Sequence, residues 1–469
     1  MMPALTSEQR QEIVQKLLEL RPHADGIRWA LSSDYLPIPS HQRIGNPDIW
    51  LIVGARGMGK STLYRTLVDG RGVSDLAGPL FSPKCTTVVQ GWGANLATVP
   101  PEWVAGPEEA VGYWLQGFAV AASDAVAANT AQPVRRDANY ARRTLLRSDR
   151  EALLEKIFTW DRELTNRGFQ GIVVYDALEG MKNWQELAAG LLAFWNDLGP
   201  RLRAFSPKIF LREDVRDRLA GRGTDFAKLG SRTISLTWSV LDIYRLLLFV
   251  FAKTGDTARE QLEWRGFAFT PPRGIGGPWL PPHVVPEEGD GSQDAFATLL
   301  AGKWMGTTAQ KGLTARWIPR MLADGNGAMA PRTAINLLIG AAEAWTANPQ
   351  EEGSLFSSEH LRAGLRFAAK GRAAELNEER RRPFSVEEFL VRLGGSFVPI
   401  DGADLALKLF VKDGALIELN GEEPSAILAE MQRIGVLTQR SDGRFDVPEL
   451  YRLGFELKRR GGAALHARR

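Results

Sequence analysis

The stretch Asp48-Ile49-Trp50-Leu51-Ile52-Val53-Gly54-Ala55-Arg56-Gly57-Met58-Gly59-Lys60-Ser61-Thr62-Leu63-Tyr64-Arg65-Thr66-Leu67 decides how the rest of the chain is read. Residues 48–53 are a short, mostly apolar run, the pattern of a strand buried on both faces. Residues 54–61 fit GxxxxGK[ST], and residues 62–67 carry apolar side chains at helical spacing. Strand, glycine-rich loop and helix in that order make a phosphate cradle. Glycines at 54, 57 and 59 let the backbone turn tightly and aim its N–H groups at phosphate oxygens. The helix that follows adds its positive end beneath the same anion. On this reading Gly54, Ala55, Arg56, Gly57, Met58, Gly59, Lys60, Ser61 and Thr62 bind ATP. Lys60 reaches the β- and γ-phosphates, and Ser61 ligates Mg2+. The plain alternative is a glycine-rich turn that happens to contain Lys-Ser.

A phosphate cradle needs a carboxylate from a second buried strand. Gly171-Ile172-Val173-Val174-Tyr175-Asp176 supplies one, with four apolar or aromatic residues from Ile172 and then an acid at the C-terminal end, the end that faces the ligand crevice in open α/β sheets. Asp176 is expected to hold the Mg2+ shell with Ser61. Glu179, three residues on, is expected to orient or deprotonate the attacking water. The competing reading is a core strand ending in an Asp that caps the helix begun near Asn183-Trp184-Gln185-Glu186.

Composition limits what else the chain does. Its 469 residues are 44% hydrophobic and 24% charged, enough apolar material for more than one core. Net charge is only +3, so any polyanion contact must come from a local patch. The single cysteine, Cys85, excludes an internal disulfide and a CxxC zinc site, and the five histidines include no HExxH. Residues 1–20 lack the basic-then-apolar pattern of a signal peptide. The most apolar run, Ile243–Ala252, is too short for a bilayer and is broken by Arg245. A soluble cytoplasmic protein without a membrane partner is expected.

Lys208-Ile209-Phe210-Leu211-Arg212-Glu213-Asp214 reads as a further parallel strand with a polar tip, and Arg232–Trp238 as another, followed by a helix from Val240 to Ala252. Ala330-Pro331-Arg332-Thr333 opens a later helix with proline in its first turn. With the loop and acid strand, this order resembles the AAA+/STAND branch of P-loop ATPases, including bacterial types linked to conflict and antiphage systems. Asp-Ala-Leu-Glu at 176–179 is similar to the D-x-L-D of that branch. The resemblance spans roughly residues 46–350. It implies that Arg212 takes the sensor-1 place beside the γ-phosphate and that Arg332 reaches the nucleotide from a lid. Each would offer a guanidinium to phosphate charge. The ordinary alternatives are a strand-end arginine and a first-turn helix residue. Arg216, Arg218 and Arg222 are a solvated basic face or include a trans-acting finger, and none is assigned. ParA-like ATPases carry a second lysine where this chain has Ala55. No Asp-Glu pair and no aromatic–apolar–Gly pore loop is present, so polypeptide threading is not expected.

Residues 108–129 and 142–166 read as helices covering the sheet, and the Pro/Gly-dense stretch 268–291 as a loop inserted in the lid. After the charged run 375–382 the pattern changes. Ser385–Leu393 and Ala403–Lys412 read as helices, Ala415–Leu419 as a strand, and Pro424–Ile434 as a helix. Gly435–Arg440 pairs with Arg444–Val447 across Ser441-Asp442-Gly443, and Pro448–Arg460 reads as a closing helix. That is the order of a winged helix. Its helix before the hairpin offers Gln432 and Arg433 to DNA but also carries Glu430, with Glu422 and Glu423 just ahead. Basic residues gather instead at Arg440, Arg444, Arg452, Lys458, Arg459, Arg460, Arg468 and Arg469. A protein-contact role is favoured over phosphate contact.

The expected fold is α/β: an αβα P-loop core with a parallel sheet at 46–239, after an N-terminal helical extension at 1–45. A helical lid at 240–350, a helical linker at 351–384 and a winged helix at 385–469 follow. The expected function is an ATP-binding and ATP-hydrolysing switch of the AAA+/STAND type, slow or partner-activated, controlling self-assembly or a protein effector. A DNA-binding ATPase of the origin-recognition or transposition-helper kind is the alternative. An ATP-holding scaffold without turnover is a second.

Overall fold

In the computed structural model of the protein, Leu51–Gly54 (β1) is buried at every residue and leads straight into the glycine-rich loop. Phe205–Arg212 (β4) pairs with it on one side and Thr233–Ser235 (β5) on the other. Gln170–Tyr175 (β3) and Thr86–Trp92 (β2) extend the sheet beyond β4, giving the order β2-β3-β4-β1-β5 with every pairing parallel. The residues described are 5–20, 36, 38, 41, 43–68, 86–92, 104–129, 149–220, 229–267, 291–377, 385–417, 419 and 422–460. Cys85, Arg222, Arg468, Arg469 and nearly all of the Pro/Gly-dense stretch lie outside them.

Two faces of the sheet are covered because strand side chains alternate. Leu51, Val53, Val173, Tyr175, Phe205, Ile209 and Leu211 point to one core, shared with helices Pro107–Asn129 and Trp184–Leu198. There Trp114 meets Tyr175 edge-on at 5.6 Å and Phe118 meets Phe205 at 5.2 Å. Phe210, one residue out of phase, points the other way and meets Tyr64 of the helix Lys60–Val68. The layered α/β arrangement read from the sequence is therefore present. Strand β2 was not anticipated, although its Thr86-Thr87-Val88-Val89 start is β-branched.

The chain forms two compact units. The sheet unit comprises 27–55 and 59–236, and the helical unit 1–26, 56–58 and 237–469. In the helical unit, Val240–Ala252 starts with a capping box between Ser239 and Asp242. Helix Pro331–Ala347 has its proline at the first turn, as expected. It packs against Ser358–Asn377 so closely that a Cβ on Gly364 would lie 2.3 Å from the Leu337 carbonyl oxygen. Arg10 of the first helix, Ser7–Glu19, is fully buried and donates to the carbonyls of Glu351, Gly353 and Ser354. Among the described residues no helix is long and apolar enough to cross a membrane.

Residues 385–460 carry the winged-helix order: helices Val386–Leu393, Gly402–Phe410 and Pro424–Arg433, then a hairpin with Phe445 opposite Gln439 and Asp446 opposite Thr438. Two expectations change here. The second helix stops at Phe410, because Asp413 and Gly414 both take positive φ and turn Val411–Lys412 back onto Ala415–Leu416. The closing helix is only Glu449–Gly454. Glu456 is left-handed (φ 59°), and Lys458–Arg459 then pairs in parallel with Phe397–Val398.

Candidate functional site

The sheet unit brings most of the sequence-derived residues together. Gly54 ends β1, and its register partner on β4 is Arg212. Gly59 has φ 93°, a conformation that side chains with a Cβ disfavour, so glycine is needed there for the loop to enter the helix at Lys60. Gly57 (φ 80°) is the other such position, but Arg56–Met58 are grouped with the helical unit. The Lys60 ammonium, 9% exposed, donates to the carbonyls of Gly54 at 2.7 Å and Ala55 at 2.9 Å.

Asp176 follows β3 and is 4% exposed. Burial pushes its carboxyl above the ordinary carboxylate range. A hydrogen bond from the Ser61 hydroxyl opposes the rise, the Glu179 charge adds to it, and the Ala177 N–H and the Lys60 charge oppose it. The Ser61–Asp176 contact joins two segments far apart in sequence. Just beyond, Ala177 takes φ 55° and starts the short turn Leu178–Gly180, which carries Glu179. Glu179 faces Arg212, with Oε1 3.7 Å from Nη1.

Arg212 is 9% exposed, and its orientation is set by a neighbour that sequence reasoning had treated as part of the strand. Its Nε and Nη2 each donate to Asp214, at 2.9 Å and 2.9 Å. Tyr64 was also missed. It sits one helical turn after Lys60, 3% exposed, and its hydroxyl has no hydrogen-bond partner among the described residues. In the sequence, residues 62–67 show only helical spacing. Lys208, a third omission, is fully buried on β4 and donates to the carbonyls of Asn46 and Ile49, both at 2.6 Å.

Arg332 is grouped with loop residues Arg56–Met58, where Arg372 donates to the Arg56 carbonyl at 2.7 Å. Arg332 lies in the helical unit, where Nη1 donates to Glu375 Oε1 at 3.0 Å, and Glu375 also accepts from Arg372 at 3.2 Å. Four arginines of the winged-helix region are likewise paired. Arg444 meets Asp442, Arg440 and Arg459 meet Asp446, and Arg452 and Arg459 meet Glu449.

The donor set suits Mg2+ held in part by phosphate. Among the described residues no group of three or more His, Cys, Asp or Glu is placed to hold a metal by itself. A hydroxyl and a carboxylate in mutual contact match a hard ion that keeps several non-protein oxygens.

No family model matches the sequence, and no curated protein matches it. Among solved structures the chain is similar to the ORC2 protein of Aeropyrum pernix in ADPNP–ADP complexes, with 14% identity, 95% of this chain and 91% of that one covered, and a TM-score of 0.42. It is also similar to Cdc6p from Pyrobaculum aerophilum, at 14% identity, 97% and 94% coverage and a TM-score of 0.27. The ORC1 protein of Aeropyrum pernix in complex with DNA gives 13% identity, 94% and 89% coverage and a TM-score of 0.31. Likenesses this loose leave the functional reading to the chain's own residues.

Proposed function

We propose that the protein binds ATP with Mg2+ and hydrolyses it slowly, as a switch of the AAA+/STAND type acting on its own assembly or on a protein partner. The observation that carries this is the buried Asp176 carboxyl at the end of β3, next to the Ser61 hydroxyl, with the Lys60 ammonium held on the loop carbonyls of Gly54 and Ala55. It supports a metal shell drawn from the first turn of the helix Lys60–Val68 and from the end of β3, next to the Lys60 ammonium. Bound Mg2+ would supply charge neutralisation on the phosphate oxygens, held by Ser61 and Asp176. Lys60 would exchange its two loop carbonyls for phosphate oxygens. Glu179 would accept the proton of the attacking water, and Arg212 would offer its guanidinium to the γ-phosphoryl charge. Arg332 would join only after leaving Glu375. Bacterial antiphage defence is the setting we favour on the motif resemblance alone.

The pairing of Arg440, Arg444, Arg452 and Arg459 supports a protein partner over DNA, because each cation is already matched by a carboxylate. One observation favours the DNA-binding reading. Phe397 is 43% exposed and flanked by Lys458 and Arg460, an aromatic–cation arrangement suited to nucleic acid.

ATP hydrolysis by the protein and by Lys60→Ala, with and without duplex DNA and alongside the mass in solution, separates these readings. Lys60-dependent turnover indifferent to DNA, with ATP-dependent assembly, supports the switch. Turnover stimulated by DNA moves the second reading ahead. Tight binding without turnover leaves an ATP-holding scaffold, and no nucleotide binding at all removes every version.

A further inference from the structure

We propose that Asp214 is a positioning residue for the hydrolytic step, fixing the plane of the Arg212 guanidinium so that its third nitrogen is turned toward Glu179. The inference rests on the ATPase reading given above and adds to it the residue that sets the geometry of the γ-phosphate arginine.

The backbone alone does not do this. Register places the Arg212 Cα opposite Gly54, where the glycine-rich loop leaves β1. From that point a long, flexible side chain has many rotamers available. The short helix Glu213–Leu219 begins at once, with Arg212 as its extended N-cap (φ −77°, ψ 151°). Residues two apart do not face each other inside a helix. Here they do, because Arg212 stands outside the helix and Asp214 lies in its first turn. The helix N-terminus also favours a negative charge at that place.

The pairing has the geometry of a fork. Asp214 Oδ1 accepts from Nε and Oδ2 from Nη2, both at 2.9 Å, and both side chains are at least nine-tenths buried. Two parallel bonds fix a plane where a single ion pair fixes only a distance. Arg218 donates to Oδ2 as well, at 3.1 Å, from the solvent side, so the carboxylate is held on both oxygens. With Nε and Nη2 committed to Asp214, Nη1 faces Glu179 Oε1 at 3.7 Å. That is too long for a hydrogen bond and close enough for charge attraction. Asp214 therefore keeps the arginine beside the residue proposed to handle the water, without letting the two close into a tight pair.

Charge neutralisation alone would need only an anion near a cation, whereas positioning needs the fork. Asp214→Asn removes one fork acceptor, and Arg212→Lys keeps the charge but removes the fork. Each is expected to lower kcat about ten- to a hundredfold, with KM and nucleotide affinity within about twofold of the parent. Arg212→Ala combined with Asp214→Asn should be no slower than Arg212→Ala alone, since Asp214 acts through that arginine. Full kcat in folded Asp214→Asn, or losses that add in the double variant, would overturn the proposal. Should Asp214→Asn fail to fold, full turnover by Arg212→Lys overturns it equally. Absence of Lys60-dependent turnover in the parent protein sinks the ATPase reading first, and Asp214's role with it.

Discussion

The Lys60 ammonium donates to the carbonyl oxygen of Gly54 at 2.7 Å, so the loop closes on its own cation. A second bond to Ala55 at 2.9 Å completes the arrangement. Both carbonyls belong to the start of the loop, and Lys60 bridges back to them from the first turn of the helix. A triphosphate must draw the lysine away, exchanging two neutral acceptors for charged ones, which are stronger.

That exchange predicts a ligand-dependent stability. Mg2+–ATP at about 100 times its Kd should stabilise the parent protein by about 2.7 kcal/mol. Lys60→Ala should show no such gain at the same concentration. Thermal melts with and without nucleotide check it, and equal gains in both proteins would remove Lys60 from the site.

Asp176 and Glu179 should separate by phenotype. Asp176→Asn is expected to abolish the effect of Mg2+ on nucleotide binding. Glu179→Gln should bind Mg2+–ATP normally while turnover falls about 10²- to 10⁴-fold, the range for loss of a general base. Nucleotide affinity in Mg2+ and in EDTA, followed by single-turnover hydrolysis, measures both. Normal turnover by Glu179→Gln would exclude it as the base.

Lys208 makes stability depend on pH. Burial lowers its pKa from the ordinary 10.5 to about 7. Between those values the unfolded chain holds a proton that the folded one does not, so stability rises with pH across that window. The gain is complete above about 10.5 and lost as pH falls to about 7. In Lys208→Met this part of the rise should vanish. Urea unfolding of both proteins between pH 7 and pH 10 tests it, and parallel curves would refute it.

Gly364 tests the helix pair Pro331–Ala347 and Ser358–Asn377. Alanine normally favours a helix over glycine by about 1 kcal/mol. Here its Cβ would lie 2.3 Å from the Leu337 carbonyl oxygen and 2.8 Å from the Ala341 nitrogen, both backbone atoms that cannot step aside cheaply. Gly364→Ala is therefore expected to destabilise by about 1–3 kcal/mol. A rise in unfolding midpoint would show that the two helices separate easily.

Much of the site was legible because its signals are local. Glycine spacing around Lys60, an apolar run ending in Asp176 and a proline opening the helix of Arg332 each depend on neighbours in sequence. Asp214 was not legible, since its fork to Arg212 needs one residue to be the last of a strand and the other to be in the first turn of a helix. Lys208 was hidden for a similar reason. Nothing in Lys208-Ile209-Phe210 tells that its ammonium is satisfied by two carbonyls of a segment some 160 residues earlier. The tail of the winged-helix region was misread as helix because Glu456 adopts a left-handed conformation that its residue type does not announce.

The sequence by itself determined the glycine-rich loop between β1 and its helix, the strand that ends in Asp176, the α/β class and the hairpin at residues 438–446. These follow from backbone conformations and hydrophobic periods that neighbouring residues impose. Tertiary structure alone decided which charges meet. Ser61 finds Asp176, Arg212 is turned by Asp214 toward Glu179, Arg332 is held by Glu375, and the arginines around the hairpin are matched by their own carboxylates. Packing makes that decision, because a buried charge is stable only where the fold delivers a partner to it.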